Sequence, residues 1–269
     1  MRSALRVAIA SILVFVAFQA ASPAAAELPD PLGATALDDP ERDCLELVPE
    51  SAGVSGVSDD GQVVKLEVMV LLDRMPKGRA GAVMERVSES YAPLGIEIVV
   101  TGYRRISVPA DPPRPGGSRP AAGHEALFAA MEKAVGGARP KGSDVVHLLT
   151  GKDVYYRNAE GEPVYALGGM AACIGGVRYD EEAFSFSEGV GEYDELRDDM
   201  AAVIAAHEVG HLMGAHHHYG NCAQGSPLMQ ENETPCTVMF PFMIVWNAGN
   251  FGTLEGAVVR GHAVDFASP

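Results

Sequence analysis

Positive charge is scarce in this chain, which carries 20 Lys and Arg against 36 Asp and Glu, a formal −16 with histidine neutral. Such a balance argues against nucleic acid or an anionic membrane surface as partner. Long apolar runs are equally scarce, and the single candidate, Val7 to about Ala21, sits at the amino terminus. Arg2 and Arg6 precede it and Ala24-Ala25-Ala26 follows, the charged, apolar and small-residue order of a secretory signal peptide. A retained anchor is the competing reading. The run falls short of the roughly 18–20 residues a span needs, and Ser11 and Gln19 interrupt it. No cysteine follows at the cleavage point, which argues against a lipid anchor. The expected division is therefore a signal peptide over 1–26, an irregular Pro-, Gly-, Ala- and Asp-rich segment over 27–61, and one folded domain over 62–269. Removing Arg2 and Arg6 leaves 18 basic and 36 acidic residues, a net −18, on a chain expected to be secreted or periplasmic and without a membrane partner. Cysteine is limited to four, enough for two disulfides in an oxidising compartment.

Histidine, by contrast, is concentrated. Five of the eight fall in HEVGHLMGAHHH, His207 to His218. On a helix, His207 and His211 stand one above the other on a single face, roughly 6 Å apart along the axis, so two imidazoles can share one ion. Glu208 is rotated off that face and is left to hold a water. Gly214 accepts the left-handed conformation that ends a helix, and the returning chain can deliver a third imidazole from His217. Three protein ligands leave one position of a tetrahedral zinc open, the arrangement of a catalytic site.

The rest of the chain alternates strands and helices. Val63–Asp73 alternates and then runs apolar, as a strand in a sheet covered on both faces does. Arg79–Tyr91 has Val83, Met84, Val87 and Tyr91 at helical spacing, stopped by Pro93-Leu94-Gly95, and Leu94–Ile106 reads as a second strand. The proline-rich stretch Val108–Pro120 reads as a surface excursion, with a domain linker as the alternative, because what precedes it is too small to bury a core. A helix over His124–Val135 and a strand over Asp144–Thr150 follow, and His147, standing alone, reads as a packed strand residue. Asp153–Arg178 is hairpin-like around Asn158–Gly161, with Gly168-Gly169 and Gly175-Gly176 allowing close backbone approach. Glu192, Asp194, Glu195, Asp198 and Asp199 suit the positive end of the long helix; a calcium site there is a rival reading, but the spacing fits no recognised loop.

HExxHxxGxxH followed by Met239 in CTVMF resembles the metzincin clan of zinc endopeptidases, and the element order with ALGGMAAC resembles its reprolysin (adamalysin) branch over about residues 62–269. The chain departs from that branch at His218, where an aspartate is usual, and from the astacin branch at Pro241, where a tyrosine stands. The resemblance implies an α/β fold with a twisted mixed sheet, an antiparallel edge strand, a long active-site helix, a methionine turn and a small C-terminal subdomain. It implies one zinc on His207, His211 and His217, with the family spacing selecting His217 from His216–His218, and Glu208 as general base. Met239 would pack beneath the ligands, a role that differs little from ordinary core. An extended protein or peptide substrate would lie along the edge strand near Leu167 to Cys173, with Leu167, Gly168, Gly169 and Met170 as its contacts and with Phe240 and Pro241 at the start of an apolar segment that borders the subsite after the cut bond or is plain core. Cys222 resembles the partner of Cys236 in the turn, closing a loop of about 15 residues worth roughly 3 kcal/mol on the chain-entropy model. That pairing leaves Cys44 for Cys173. The rival reading makes Cys44 a thiolate on the zinc and 27–60 a short propeptide. A zinc-containing peptide-binding module and an envelope protein with incidental metal affinity are the non-catalytic alternatives; the intact Glu208 argues against the first. A monomer is the default expectation.

Overall fold

The computed structural model describes residues 42–44, 62–165, 168–189, 195–217, 237–240 and 249–267. All of these lie in the compact unit Glu41–Pro269. The chain enters with a two-residue strand β1 (Arg42–Asp43) and continues through β2 (Val64–Asp73), α1 (Lys77–Tyr91) and β3 (Ile96–Arg105). Then come β4 (Ala121–Gly123), α2 (His124–Val135), β5 (Val145–Thr150), β6 (Asp153–Arg157) and β7 (Pro163–Val164). The last third holds β8 (Gly169–Ala171), β9 (Cys173–Ile174), β10 (Phe184–Glu188), α3 (Glu195–Leu212) and α4 (Thr253–Phe266).

The main sheet runs β3-β2-β5-β10-β8, with β8 antiparallel to β10 and the other neighbours parallel. This is the mixed sheet with an antiparallel edge that the resemblance implied. Both faces are covered, which explains the apolar run in β2. Leu66, Val68 and Val70 pack with Val83, Met84 and Val87 of α1 and with Ala201, Ala205 and Val209 of α3. Leu71, Val146 and Leu148 turn the other way, toward Leu127 and Met131 of α2.

Element bounds shift where local chemistry overrides periodicity. β3 starts at Ile96 because Ala92–Leu94 closes a 3₁₀ turn and Gly95 takes φ 66°. The excursion from Val108 folds back on the sheet: Val108 is buried, its N–H donates to Asp73 Oδ1 at 3.4 Å, and Asp111 bridges to Ala121. The hairpin read around Asn158–Gly161 is the β6–β7 pair. Arg42–Asp43, expected to be irregular, is a strand paired in parallel with β9.

His147 lies in the central strand β5, fully buried, with Nδ1 2.9 Å from Ser185 Oγ and Nε2 3.0 Å from Ser187 Oγ. Burial pushes its pKa down to about 3. The unfolded chain, with an ordinary histidine near 6.5, therefore binds this proton first as pH falls. Stability is fully present above about 6.5 and drains away down to about 3, by about 5 kcal/mol from this one residue. Urea unfolding of the metal-free protein should show that loss, and His147→Gln, less stable at pH 7, should show a flatter pH slope. An identical slope in the variant would contradict the assignment.

Candidate metal centre

The histidine motif occupies the last turns of α3, and the end of that helix is built into the motif. Gly214 adopts φ 83°, its N–H donates to His211 O at 2.8 Å, and Ala215 N–H donates to Gly210 O at 3.0 Å. These are the two bonds of a Schellman stop, which reverses the chain so that His217 comes back over the helix. An added Cβ at Gly214 would lie 2.4–2.9 Å from ring atoms of His262 on α4. The left-handed turn is therefore enclosed from outside as well.

The three Nε2 atoms converge: His207 to His211 2.9 Å, His207 to His217 3.1 Å and His211 to His217 3.2 Å. Two of the rings are fixed from behind. His207 Nδ1–H donates to Val238 O and His211 Nδ1–H to Ala215 O, each at 2.7 Å. Burial first, then the charge of His217, brings the pKa of His207 down to about 4; burial, then His207 and His217, hold His211 well below the ordinary range. Both rings are neutral at pH 7 with their single proton on Nδ1, so their Nε2 lone pairs face each other with no proton to share. Nitrogens about 2.0–2.1 Å from a tetrahedral zinc would stand roughly 3.3 Å apart. The donor set thus fits a zinc ion in type, tautomer and spacing, and it is the one such cluster among the described residues.

Glu208 is buried beside the triad. Its side chain lies against the edge strand, where a Cβ on Gly169 would meet Glu208 Cγ and Oε1 at 2.7 Å. Gly168 faces Ile204 of the same helix, 3.1 Å from its Cδ1 by the same measure. The glycine pair therefore lets β8 approach α3. From α1, Tyr91 donates its hydroxyl to Ala206 O at 2.9 Å, and burial, then the Glu208 charge, keeps that hydroxyl protonated. Beneath the helix, Thr237–Phe240 makes a tight turn in which Phe240 N–H donates to Thr237 O at 3.2 Å. Met239 is fully buried there, and a Cβ on Gly210 would fall 2.8 Å from its sulfur. Phe240 is buried beside it.

Of the substrate-contact candidates, Leu167 and Pro241 lie outside the described residues, as do Cys222 and Cys236. Met170 differs from expectation: its side chain is buried on the α2 side of the sheet. Ala172 N–H to Phe184 O and Glu188 N–H to Gly168 O fix the ladder alternation, so Met170 pairs inward with Phe186, and Gly169 and Ala171 turn their N–H and C=O to the outer edge. Ala171, inside the Leu167 to Cys173 stretch expected beside the substrate, is the second edge position, and only the pairing partner fixes which residues of that stretch face outward. Cys44 is joined to Cys173, with Cα atoms 5.6 Å apart, and so is not a thiolate directed at the histidines. The carbonyls of Val238 and Ala215 carry no side-chain signal and could not have been read in advance.

Residues 78–218 match the sequence model of metallo-peptidase family M12B, reprolysin-like. Among solved structures, archaemetzincin from Methanopyrus kandleri is similar at 19% identity and TM-score 0.50, covering 74% of this chain and 95% of that one. Archaemetzincin from Archaeoglobus fulgidus, complexed with malonate, matches at 15% identity and TM-score 0.44, over 72% of this chain and 99% of that one. Metalloproteinase-II from Bacteroides fragilis matches at 16% identity and TM-score 0.45, over 77% of this chain and 55% of that one. No curated protein matches the sequence.

Proposed function

This chain belongs to the reprolysin-like metallopeptidases of family M12B, and we propose that it is an exported endopeptidase in which His207, His211 and His217 hold one zinc ion and Glu208 is the general base. The observation that carries this reading is the convergence of three Nε2 atoms, 2.9–3.2 Å apart, beside a buried carboxylate. A zinc ion held there supplies Lewis acidity to a scissile carbonyl and lowers the pKa of a water to about 7.

The chain's own residues do the rest. The Nδ1–H bonds to Val238 and Ala215 fix ring orientation and make each Nε2 a better donor. Glu208 takes a proton from water at its carboxylate and returns it to the leaving amine. The outward N–H and C=O groups of Gly169 and Ala171 receive the main chain of an extended peptide, strand to strand. Met239 packs under the helix and touches no substrate. Phe240 and the apolar residues after it favour a large apolar residue just after the cut bond. The charged, apolar and small-residue order of 1–26 and the Cys44–Cys173 bond both support export.

Two measurements test this. Zinc content after dialysis should fall steeply in His217→Ala and stay near one equivalent in His216→Ala; the reverse result would put the third ligand in another register. Given an unfolded protein, the loaded chain should release internal fragments with large apolar residues at their new amino termini. Trimming from the ends alone would overturn the endopeptidase assignment, and charged residues at the new termini would overturn the apolar subsite.

A further inference from the structure

The third ligand is the least anchored by regular structure: His207 and His211 sit on a helix, whereas His217 arrives on the chain beyond its end. A small unit far away in sequence lies against this stretch. β1 runs beside β9, with Arg42 opposite Cys173 and Asp43 opposite Ile174. Cys44 is fastened twice, its N–H donating to Ile174 O at 3.0 Å and its sulfur joined to Cys173 across 129 positions of sequence. Both cysteines are fully buried.

Two contacts run from this unit to the stretch that carries the histidines, one to its backbone and one to a side chain. From the β9 side, Gly175 N–H donates to the carbonyl of His211 at 2.8 Å, the same oxygen that accepts from Gly214 N–H. From β1, Asp43 Oδ2 lies 3.5 Å from Nε2 of His216, the neighbour of His217. Arg42 pairs with Glu182 and holds β1 at its other end. The stretch His211–His217 is thus held at its first residue by a backbone hydrogen bond and met next to its last by a carboxylate, both from one unit that a disulfide closes. A metal with three protein ligands leaves when one of them swings away, and the position of the ligand beyond the helix end depends on the backbone that carries it.

We propose that the β1–β9 unit, closed by Cys44–Cys173, is a brace that keeps His211 and His217 in ligating register, so that reducing this disulfide shortens the residence of the metal. Asp43 is a positioning residue in this brace. The inference rests on the reading that the three histidines hold zinc. The redox step needs a dithiol: one thiolate attacks the disulfide to form a mixed disulfide, and the second closes the reagent into its own ring. The dithiol gives up two electrons and two protons, and Cys44 and Cys173 each end as a thiol.

The test uses the full oxidised, zinc-loaded chain and times zinc transfer to an excess of a chromophoric chelator, before and after dithiol treatment with the freed thiols counted. Release should be about 10-fold faster after reduction, the lower end of what outer-shell partners contribute to metal binding. Asp43→Ala, with the disulfide intact, should fall between the two states, and Asp43→Glu should return toward wild type. Amide exchange should speed up at Gly214 and Ala215 while β2 and β5 stay protected. Unchanged release from a chain in which peptide mapping finds both Cys44 and Cys173 as thiols overturns the brace, and so does equal loss of protection across the whole sheet, which would make the bond a general staple. If the reagent does not reach the buried sulfurs, the variant carrying both Cys44→Ser and Cys173→Ser is read the same way. If that variant does not fold, wild-type release from Asp43→Ala overturns the proposal. An oxidised wild type that takes up no zinc contradicts instead the metal reading beneath it.

Discussion

Glu208→Gln should keep its zinc and its fold and lose turnover by about 10²–10⁴-fold, the usual contribution of a positioned general base. Glutamine preserves the volume packed against Gly169, where a Cβ would come within 2.7 Å of Glu208 Cγ, so the approach of β8 to α3 survives. The histidines keep their back bonds to Val238 and Ala215, neither of which involves residue 208. What disappears is the basic oxygen that accepts a proton. The variant should therefore match wild type in zinc content and thermal midpoint while its rate on a peptide collapses. Undiminished turnover would remove Glu208 from the mechanism, and loss of zinc would make it a ligand.

Gly214→Ala should damage stability and metal binding together. At φ 83° an alanine costs about 1–2 kcal/mol in backbone strain alone. Its Cβ would also stand 2.4 Å from His262 Cε1. That ring has little room to yield, since it is buried, its Nδ1 lies 3.1 Å from Val258 O and its Nε2 is 3.3 Å from Arg178. Together these predict a loss of about 3 kcal/mol or more, with zinc affinity falling because the same turn returns His217 to the helix. A cycle with His262→Ala separates the causes. Removing the ring should recover the clash and leave the strain, so the double variant should be more stable than the sum of the two single losses predicts. Wild-type stability in Gly214→Ala would contradict the account.

The histidine triad was legible because its geometry is local. His207 and His211 need only a helix, and Gly214 needs only its missing Cβ, so residue type and spacing carried the information. The buried run of β2 and the helical spacing in α1 and α2 were legible for the same reason. β10 escaped notice although FSFS alternates. By residue type alone its serines would suit a solvent face, but Ser185 and Ser187 are buried and bonded to His147 on the neighbouring strand. α4 escaped because its buried side carries Glu255, Arg260 and His262 among its apolar residues. Arg260 reaches the carbonyls of Gly95 and Gln62, so its charge is used inside the fold and the helix shows no apolar stripe. Met170 was assigned to the cleft and lies in the core because strand parity is set by β10, a partner the local sequence does not announce. Each miss is a polar group satisfied at long range or a parity fixed by another strand.

The most direct test of the central claim is a zinc titration of peptide-bond cleavage. The chain is stripped with a chelator, dialysed, and given zinc in steps while fragments of an unfolded protein are counted by mass spectrometry. Cleavage should be absent without metal and rise linearly until it stops at one zinc per chain, with His217→Ala failing to reach that plateau. Cleavage that persists in the stripped protein, or none at one equivalent of bound zinc, would contradict the claim.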